Sequence, residues 1–320
     1  MREGIGGFFE IELADYGGFI HDDGVLLNSG RNALEYVLRS LSEVKHLWIP
    51  YYSCDVILEP IKKLGLAFSF YRIDERLEIR DSLSLGIGDF LLYTNYFGIK
   101  DGYVQKLADR YGRRLIVDNA QAWYTDPLPG ISTIYSPRKF VGIPDGGIAF
   151  CPSGIDLDQF EQDYSYERCS HLLKRIDLGP TAGYPDFREN SNSLIDQPIR
   201  KMSRLTERML RAIDFDAIKQ KRRQNYSYLE EVLKKDNSLS LVNLSSNKCP
   251  MVYPFFTADI SLRERLVKKR VFIATYWLSV KERVEECSLE AELTDRLLPL
   301  PIDQRYSMED MVRIVRLIGA

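Results

Sequence analysis

The chain has 320 residues and a formal net charge of −3 at pH 7; 45% of its residues are hydrophobic and 28% are charged. These proportions are ordinary for a globular protein, and so small a net charge argues against recruitment of nucleic acid or of an acidic membrane surface. The sequence has no apolar run of signal-peptide or membrane-spanning length, so we expect a cytoplasmic protein that has no membrane partner.

Strand and helix patterns alternate through the first half of the chain. Apolar residues recur at helical spacing in 28–44, and 46–52 reads as a short apolar strand. The alternation continues with a helix in 53–66, strands in 67–73 and 89–98, a helix in 101–112, and strands in 113–121, 131–136 and 146–152. Repeated strand–helix–strand units predict an α/β fold in which helices cover a mostly parallel sheet.

The second half has a different pattern. It predicts, in order, a helix in 161–179, a polar loop in 180–193, a charged helical region in 199–235 that is broken near Asp214, a strand in 251–257, a helix in 261–270, a strand in 271–278 and a closing helix in 307–318. We therefore divide the chain into an N-terminal segment (1–24), a large domain (25–198), and a connecting helix with a small C-terminal α+β domain (199–320).

Polar side chains stand where several predicted strands end. Asn95, Asp118, Gln121 and Ser136 lie at or just after such ends. In parallel sheets the ligand sits at the carboxyl ends of the strands. The positions of these residues therefore predict a binding crevice at that edge, independently of any motif.

The stretch NSGRNAL (28–34) precedes the first helix and predicts a phosphate-binding turn. Gly30 allows a tight turn, and the backbone N–H groups of Gly30, Arg31 and Asn32 stand at the helix N-terminus, where phosphate binds. The signal is weak alone, because it lacks the full pattern of a P-loop or of a dinucleotide fold.

Asp118 and Lys139 are the two residues of the predicted crevice that could take part in a chemical reaction. Asp118 ends an apolar strand, where a carboxylate needs a cationic partner such as a protonated pyridine nitrogen. Lys139 lies in YSPRKFVGIPDGG (135–147), whose proline and glycines indicate a turn that fixes one side chain. A crevice lysine can form a Schiff base with an aldehyde, so phosphate turn, acid and lysine together are the parts of a pyridoxal 5'-phosphate site.

These stretches resemble the motifs of the DegT/DnrJ family of sugar aminotransferases. The family's S-G-T-x-A-L corresponds to residues 29–34, its D-x-x-Q to 118–121, and its P-[TS]-K-x-x-G-x-x-[DE]-G-G to 137–147. The order is kept and the likeness extends over nearly the whole chain. The resemblance implies the aspartate-aminotransferase (type I) fold of pyridoxal phosphate-dependent transferases.

The resemblance also implies roles for individual residues. Lys139 would hold the cofactor aldehyde as a Schiff base and later shuttle a proton, Asp118 would pair with the pyridinium, and Gln121 would bond the phenolic oxygen of the ring. Asn192 would reach the phosphate of the neighbouring subunit in a homodimer. The implied reaction is transfer of an amino group from glutamate or glutamine to a nucleotide-linked keto sugar.

The sequence departs from the family pattern around the cofactor. Arg31 replaces the phosphate-binding threonine, and Cys54 stands where an aromatic residue stacks on the ring. Ile134 replaces a serine, so Thr133 or Ser136 would have to substitute for it. Two alternatives stay open: a family member that binds a ligand without turnover, and an α/β protein in which Lys139 is structural.

Overall fold

The computed structural model describes residues 5–239 and 248–319. Within these ranges the strands are β1 (Val25–Leu27), β2 (His46–Pro50), β3 (Ala67–Tyr71), β4 (Asp89–Thr94), β5 (Leu115–Asp118), β6 (Ser132–Tyr135), β7 (Gly147–Phe150), β8 (Tyr253–Phe256) and β9 (Leu297–Leu300). The helices are α1 (Gly30–Ser40), α2 (Leu58–Lys63), α3 (Asp101–Tyr111), α4 (Ser170–Leu178), α5 (Pro180–Ser193), α6 (Arg204–Arg211), α7 (Phe215–Leu233), α8 (Leu262–Lys268), α9 (Leu289–Arg296) and α10 (Met308–Ile318).

The central sheet has the strand order β1-β7-β6-β5-β4-β2-β3. The strands β2 to β6 run parallel to one another, whereas β7 is antiparallel to both of its neighbours, β6 and β1. The prediction of a mostly parallel sheet in an α/β fold is therefore confirmed.

Two apolar layers cover the sheet, one on each face. On one face α1 contributes Leu34 and Val37 to a buried cluster with Ile116 of β5. On the other face Leu107 of α3 packs in a cluster with Tyr93 of β4. Because both faces are covered, the central strands β4, β5 and β6 are almost wholly buried.

Local signals explain where several helices begin and end. The Ser29 hydroxyl caps α1 by accepting a hydrogen bond from the backbone of Asn32, and Gly112 ends α3 with a φ of 53°. The predicted break in the charged helical region is confirmed, because α6 and α7 are separate and Asp214 caps the second of them.

Two predictions for the second half are wrong, and of the predicted helix 161–179 only α4 (Ser170–Leu178) forms as an α-helix. The predicted loop 180–193 is the helix α5, which follows Gly179 and starts at Pro180. Its sequence looked like a loop because α5 packs mainly against α4, so it has no long apolar stripe. The predicted strand 271–278 does not form, because the strand that pairs with β8 is β9; Val271 and Ile273 contribute instead to the core of the small domain.

The C-terminal part of the chain, from α7 to α10, has a buried apolar cluster of its own. The antiparallel pair β8–β9 packs with α7, α8 and α10 around a cluster that includes Leu229, Leu266 and Ile314. Across both described ranges, no helix is both long and apolar enough to cross a membrane.

Candidate functional site

The polar residues at the strand ends meet at one edge of the sheet. Strands β4, β5 and β6 are parallel neighbours, so Asn95, Asp118 and Ser136 lie side by side at their carboxyl ends. Strand β1 is antiparallel to β7, which is antiparallel to β6, so β1 also ends at this edge. The start of α1 therefore faces the same crevice.

Asp118 is a buried carboxylate at this edge, with 7% of its surface exposed. Burial raises its pKa, whereas the positive charge of Lys139 and hydrogen bonds from the Ala120 backbone and the Thr94 side chain lower it. The Ala120 N–H donates to Oδ1 at 2.9 Å. Lys139 is thus near enough for its charge to act on Asp118, and this charge compensates only part of the desolvation.

Lys139 itself is exposed and ends a single 3₁₀ turn, Pro137–Lys139. The N–H groups of Phe140 and Val141 both donate to the Pro137 carbonyl, at 2.8 Å and 3.1 Å. The turn that the sequence predicted around this lysine is therefore present, with an amine that is free of the sheet and a backbone that is fixed.

Two close backbone contacts hold the lysine turn against the start of α1. The Gly146 N–H donates to the Asn28 carbonyl at 3.0 Å, and a Cβ on Gly147 would lie 2.1 Å from the Ser29 carbonyl oxygen. A Cβ on Gly30 would lie 3.3 Å from Cβ of Ser136. Glycine is needed at 147 because any side chain would push α1 away from the crevice.

Through its buried side chain, Asp145 holds the backbone directly before Gly146 and Gly147. Its side chain is fully buried and accepts hydrogen bonds from Ser165 Oγ and Thr206 Oγ1, each at 2.5 Å. Arg168 forms an ion pair with the same carboxylate at 2.5 Å. A carboxylate with this many donors is well compensated, so Asp145 fixes the glycine turn in one position.

The side chains of Arg31 and Asn32, in the predicted phosphate-binding turn, bind other parts of the protein. Arg31 Nε lies 3.1 Å from Glu59 Oε2, and its Nη1 donates to the Leu194 carbonyl at 3.4 Å. The buried Asn32 side chain donates to the carbonyls of Gln197 and Pro198. Of the two hydroxyls that could replace the missing serine, Ser136 is the one beside Gly30, while Thr133 donates to the Ile131 carbonyl.

The other three predicted site residues, Gln121, Cys54 and Asn192, differ in how far they are buried. The Gln121 side chain is buried, and its Oε1 accepts a hydrogen bond from the Phe97 N–H at 2.9 Å. Cys54 is half-buried just after β2 and lies near Tyr276, whose pKa is raised to about 12, mainly by burial. Asn192 is exposed in the last turn of α5.

Arg138 is a residue of this region that our sequence reasoning did not single out. Its Nη2 donates to Ser191 Oγ at 3.0 Å, and its guanidinium lies 4.9 Å from the centre of the Phe187 ring. Burial, and secondarily Arg31, lower its pKa to about 10, while Asp145 acts in the opposite direction. Its position beside Lys139, where the family motif has threonine or serine, was the available signal.

No family model and no curated protein matches the sequence. Solved structures, however, match its fold. The sugar aminotransferase CalS13 from Micromonospora echinospora has 17% identity and a TM-score of 0.62, over 92% of this chain and 86% of that one. A DegT/DnrJ/EryC1/StrS aminotransferase from Brucella abortus has 13% identity and a TM-score of 0.60, over 92% and 84%. DesI, determined in the presence of its TDP-sugar product, has 14% identity and a TM-score of 0.60, over 92% and 79%.

These matches define the class of fold. The chain has the type I fold of pyridoxal phosphate-dependent aminotransferases, and its architecture is similar to that of the DegT-type sugar aminotransferases. The fold implied by the motif resemblance is thereby confirmed.

Replacement of Gly147 by alanine tests the close contact with Ser29. We expect Gly147→Ala to lower the free energy of unfolding by about 1–3 kcal/mol, because the new Cβ must displace backbone. Gly102→Ala is the matched control: its Cβ meets nothing within 4 Å in α3, and we expect a gain of up to about 1 kcal/mol. Urea denaturation measures both, and equal changes at the two sites would contradict the contact.

Proposed function

We propose that this protein is a pyridoxal phosphate-dependent aminotransferase that acts on a nucleotide-linked keto sugar. The observation that carries the proposal is the placement of Asp118 and Lys139 at the same carboxyl edge of a type I fold, near enough for the lysine charge to act on the carboxylate. A buried carboxylate with a raised pKa and a nearby solvent-accessible amine together match the needs of this chemistry.

The residues of the crevice fit pyridoxal phosphate. When bound, the cofactor supplies an aldehyde that condenses with amines and a ring that accepts an electron pair. Lys139 provides the amine at the crevice and, once released, a base that moves a proton. Asp118 holds a proton on the ring nitrogen, because a buried carboxylate that is only partly compensated favours a second cation. Gln121 and Cys54 are the proposed neighbours of the ring.

The start of α1 is the proposed phosphate anchor. Gly30 leaves room beside Ser136, and the helix dipole favours an anion at this end. Arg138 has a buried Nε atom that lacks a hydrogen-bond partner among the described residues, and it lies close enough to Arg31 for their charges to repel. A phosphate would relieve that repulsion, so Arg31, Asn32 and Arg138 are proposed to support the anchor.

The substrate and the amino donor are the finer part of the proposal. One structure of the same fold was determined with its TDP-sugar product, which supports a nucleotide-linked sugar for this chain as well. We propose glutamate or glutamine as the donor. A screen of nucleotide-linked keto sugars with each donor, followed by mass spectrometry of the products, tests both choices.

We also propose that the active unit is a homodimer in which Asn192 enters the partner's site. The support is the helical pair α4–α5, together with the segments that flank it, where large apolar side chains are exposed: Tyr164, Tyr166, Leu173, Ile176, Leu178, Tyr184, Phe187 and Ile195. A concentration of exposed apolar surface of this kind marks an interaction site.

Lys139 should form the covalent link to the cofactor. Incubation with pyridoxal phosphate, reduction with borohydride and peptide mapping by mass spectrometry should locate the adduct on Lys139. Lys139→Ala should abolish both the adduct and the absorbance of the bound cofactor, whereas Lys106→Ala, in α3, should leave both unchanged. An adduct on a different lysine would refute the assignment, and an adduct without amino transfer would favour a ligand-binding protein.

Asp118→Asn should suppress amino transfer on the order of 10²-fold or more, because the amide cannot keep the ring nitrogen protonated. Cofactor affinity should change far less, since the phosphate anchor is intact. Single-turnover spectroscopy with glutamate and a cofactor titration separate the two effects. A variant with near wild-type turnover would show that Asp118 is not the partner of the ring.

Asp118→Asn also tests how the stability of the cofactor-free protein depends on pH. Because burial raises the pKa of Asp118 above its usual value of 3.8, the folded state binds this proton more tightly than the unfolded state. The contribution of Asp118 to stability should therefore fall as pH rises from about 4 through the folded pKa. Asp118→Asn should lack that fall, and denaturation curves measured across this range provide the test.

Subunit mixing tests the shared site. Lys139→Ala and Asn192→Ala should each be inactive, but in a mixed dimer one site would carry both lesions and the other site neither. Activity should therefore return in part after subunit exchange. Glu189→Ala, an exposed change on the same helix, is the control and should be active alone. No recovery in dimers that are demonstrably mixed would exclude Asn192 from the partner's site.

A further inference from the structure

Arg222 of α7 is a buried arginine that reaches out of the small domain. Only 2% of its surface is exposed. Its Nη2 donates to the Phe140 carbonyl at 3.1 Å, its Nη1 to the Met251 carbonyl at 2.9 Å, and its Nε to Gln304 Oε1 at 3.2 Å. The guanidinium also lies 4.8 Å from the centre of the Phe140 ring. The residue it binds most extensively is thus the immediate neighbour of Lys139.

The Phe140 carbonyl is held by a second donor from the small domain. Gln304, which follows β9, donates from Nε2 to the same oxygen at 3.0 Å. Gln304 therefore accepts from Arg222 through one atom of its amide and donates to Phe140 through the other. This closed arrangement fixes the backbone directly after Lys139.

A further chain of hydrogen bonds leads from Arg222 to Gln121. Arg222 binds the Met251 carbonyl, and the Met251 N–H donates to the Phe97 carbonyl at 2.9 Å. The Phe97 N–H in turn donates to Gln121 Oε1 at 2.9 Å. One guanidinium therefore joins the turn that carries Lys139 to the turn that orients Gln121.

The electrostatics of Arg222 argue against a purely stabilising role, because burial of its charge costs free energy. The three acceptors of Arg222 are two backbone carbonyls and an amide oxygen, all of them neutral. Burial lowers its pKa, and the negative charge of Asp303 only partly opposes this. A buried cation that has neutral acceptors gains little stability over an apolar side chain of similar size. The benefit that such a group provides is a defined geometry, because the planar guanidinium fixes the directions of its donors.

We propose that Arg222 is a positioning residue that sets Lys139 and Gln121 relative to each other from the small domain. The inference rests on the proposed function for the roles of Lys139 and Gln121, but the coupling of the two turns is a property of the cofactor-free chain. It would make the spacing of amine and amide depend on how α7 sits against the large domain.

Hydrogen exchange of the cofactor-free protein tests the coupling. In Arg222→Met, peptides that cover 96–98 and 138–141 should both exchange at least about tenfold faster, because Phe140 loses a charged donor directly and Phe97 loses the support that reaches it through Met251. The strands β4 to β6 should keep wild-type protection. Arg223→Met makes the same chemical change at the next position of α7 and should leave both peptides unchanged. Arg222→Lys should be intermediate, because an ammonium cannot hold all three acceptors.

Several results would overturn the proposal. Faster exchange along the whole chain would indicate a merely structural role, and faster exchange in one turn alone, or in neither, would show that the turns are not coupled. If Arg222→Met does not fold, Gln304→Ala replaces it and should accelerate the same two peptides by at least about threefold. The Lys139 adduct is a separate measurement, so loss of the proposed function and loss of the coupling are distinguishable.

Discussion

The burial of Asp118 at the end of a central strand is the constraint around which the crevice is arranged. Its neighbours β4 and β6 are buried, so the carboxylate is desolvated and its pKa rises. The positive charge that opposes this comes from Lys139, which lies in the turn between β6 and β7. Because β5 and β6 are adjacent and parallel in the sheet, both strands end at the same edge, and this brings the acid and the amine close together.

A second constraint sets how closely the helix start approaches this pair. The backbone of Gly147 passes so near Ser29 that no Cβ fits, and the buried carboxylate of Asp145 holds the turn in that position. The missing Cβ of Gly147 therefore allows the close approach, and the buried Asp145 carboxylate fixes the neighbouring backbone. The acid, the lysine and the start of α1 form one unit because these two requirements are met by adjacent residues.

The sequence predicted the parts of the fold that depend on local patterns. Alternating strands and helices led to the parallel sheet, and the polar residues after strands led to its carboxyl edge. The helix α5 was not predicted because its sequence lacks apolar residues at regular helical spacing. The strand in 271–278 was wrongly predicted because its apolar residues are buried in an irregular segment. For the region around Arg222 the sequence predicted only a charged helix, because no local pattern reports that the acceptors of this arginine lie at Phe140 and Met251.

The departures from the family motifs concern charge more than shape. Where the motifs have hydroxyl side chains, this chain has Arg31 and Arg138. Glu59 forms an ion pair with Arg31, and the negative charge of Asp145 opposes the lowering of the Arg138 pKa. Hydroxyls hold an anion by neutral hydrogen bonds, whereas guanidinium groups hold it by charge and by paired donors. The overall fold is similar to that of structures of only 13–17% identity, with TM-scores of 0.60–0.62. Arg31 and Arg138 therefore change the charge near the start of α1 in a chain that keeps the type I fold.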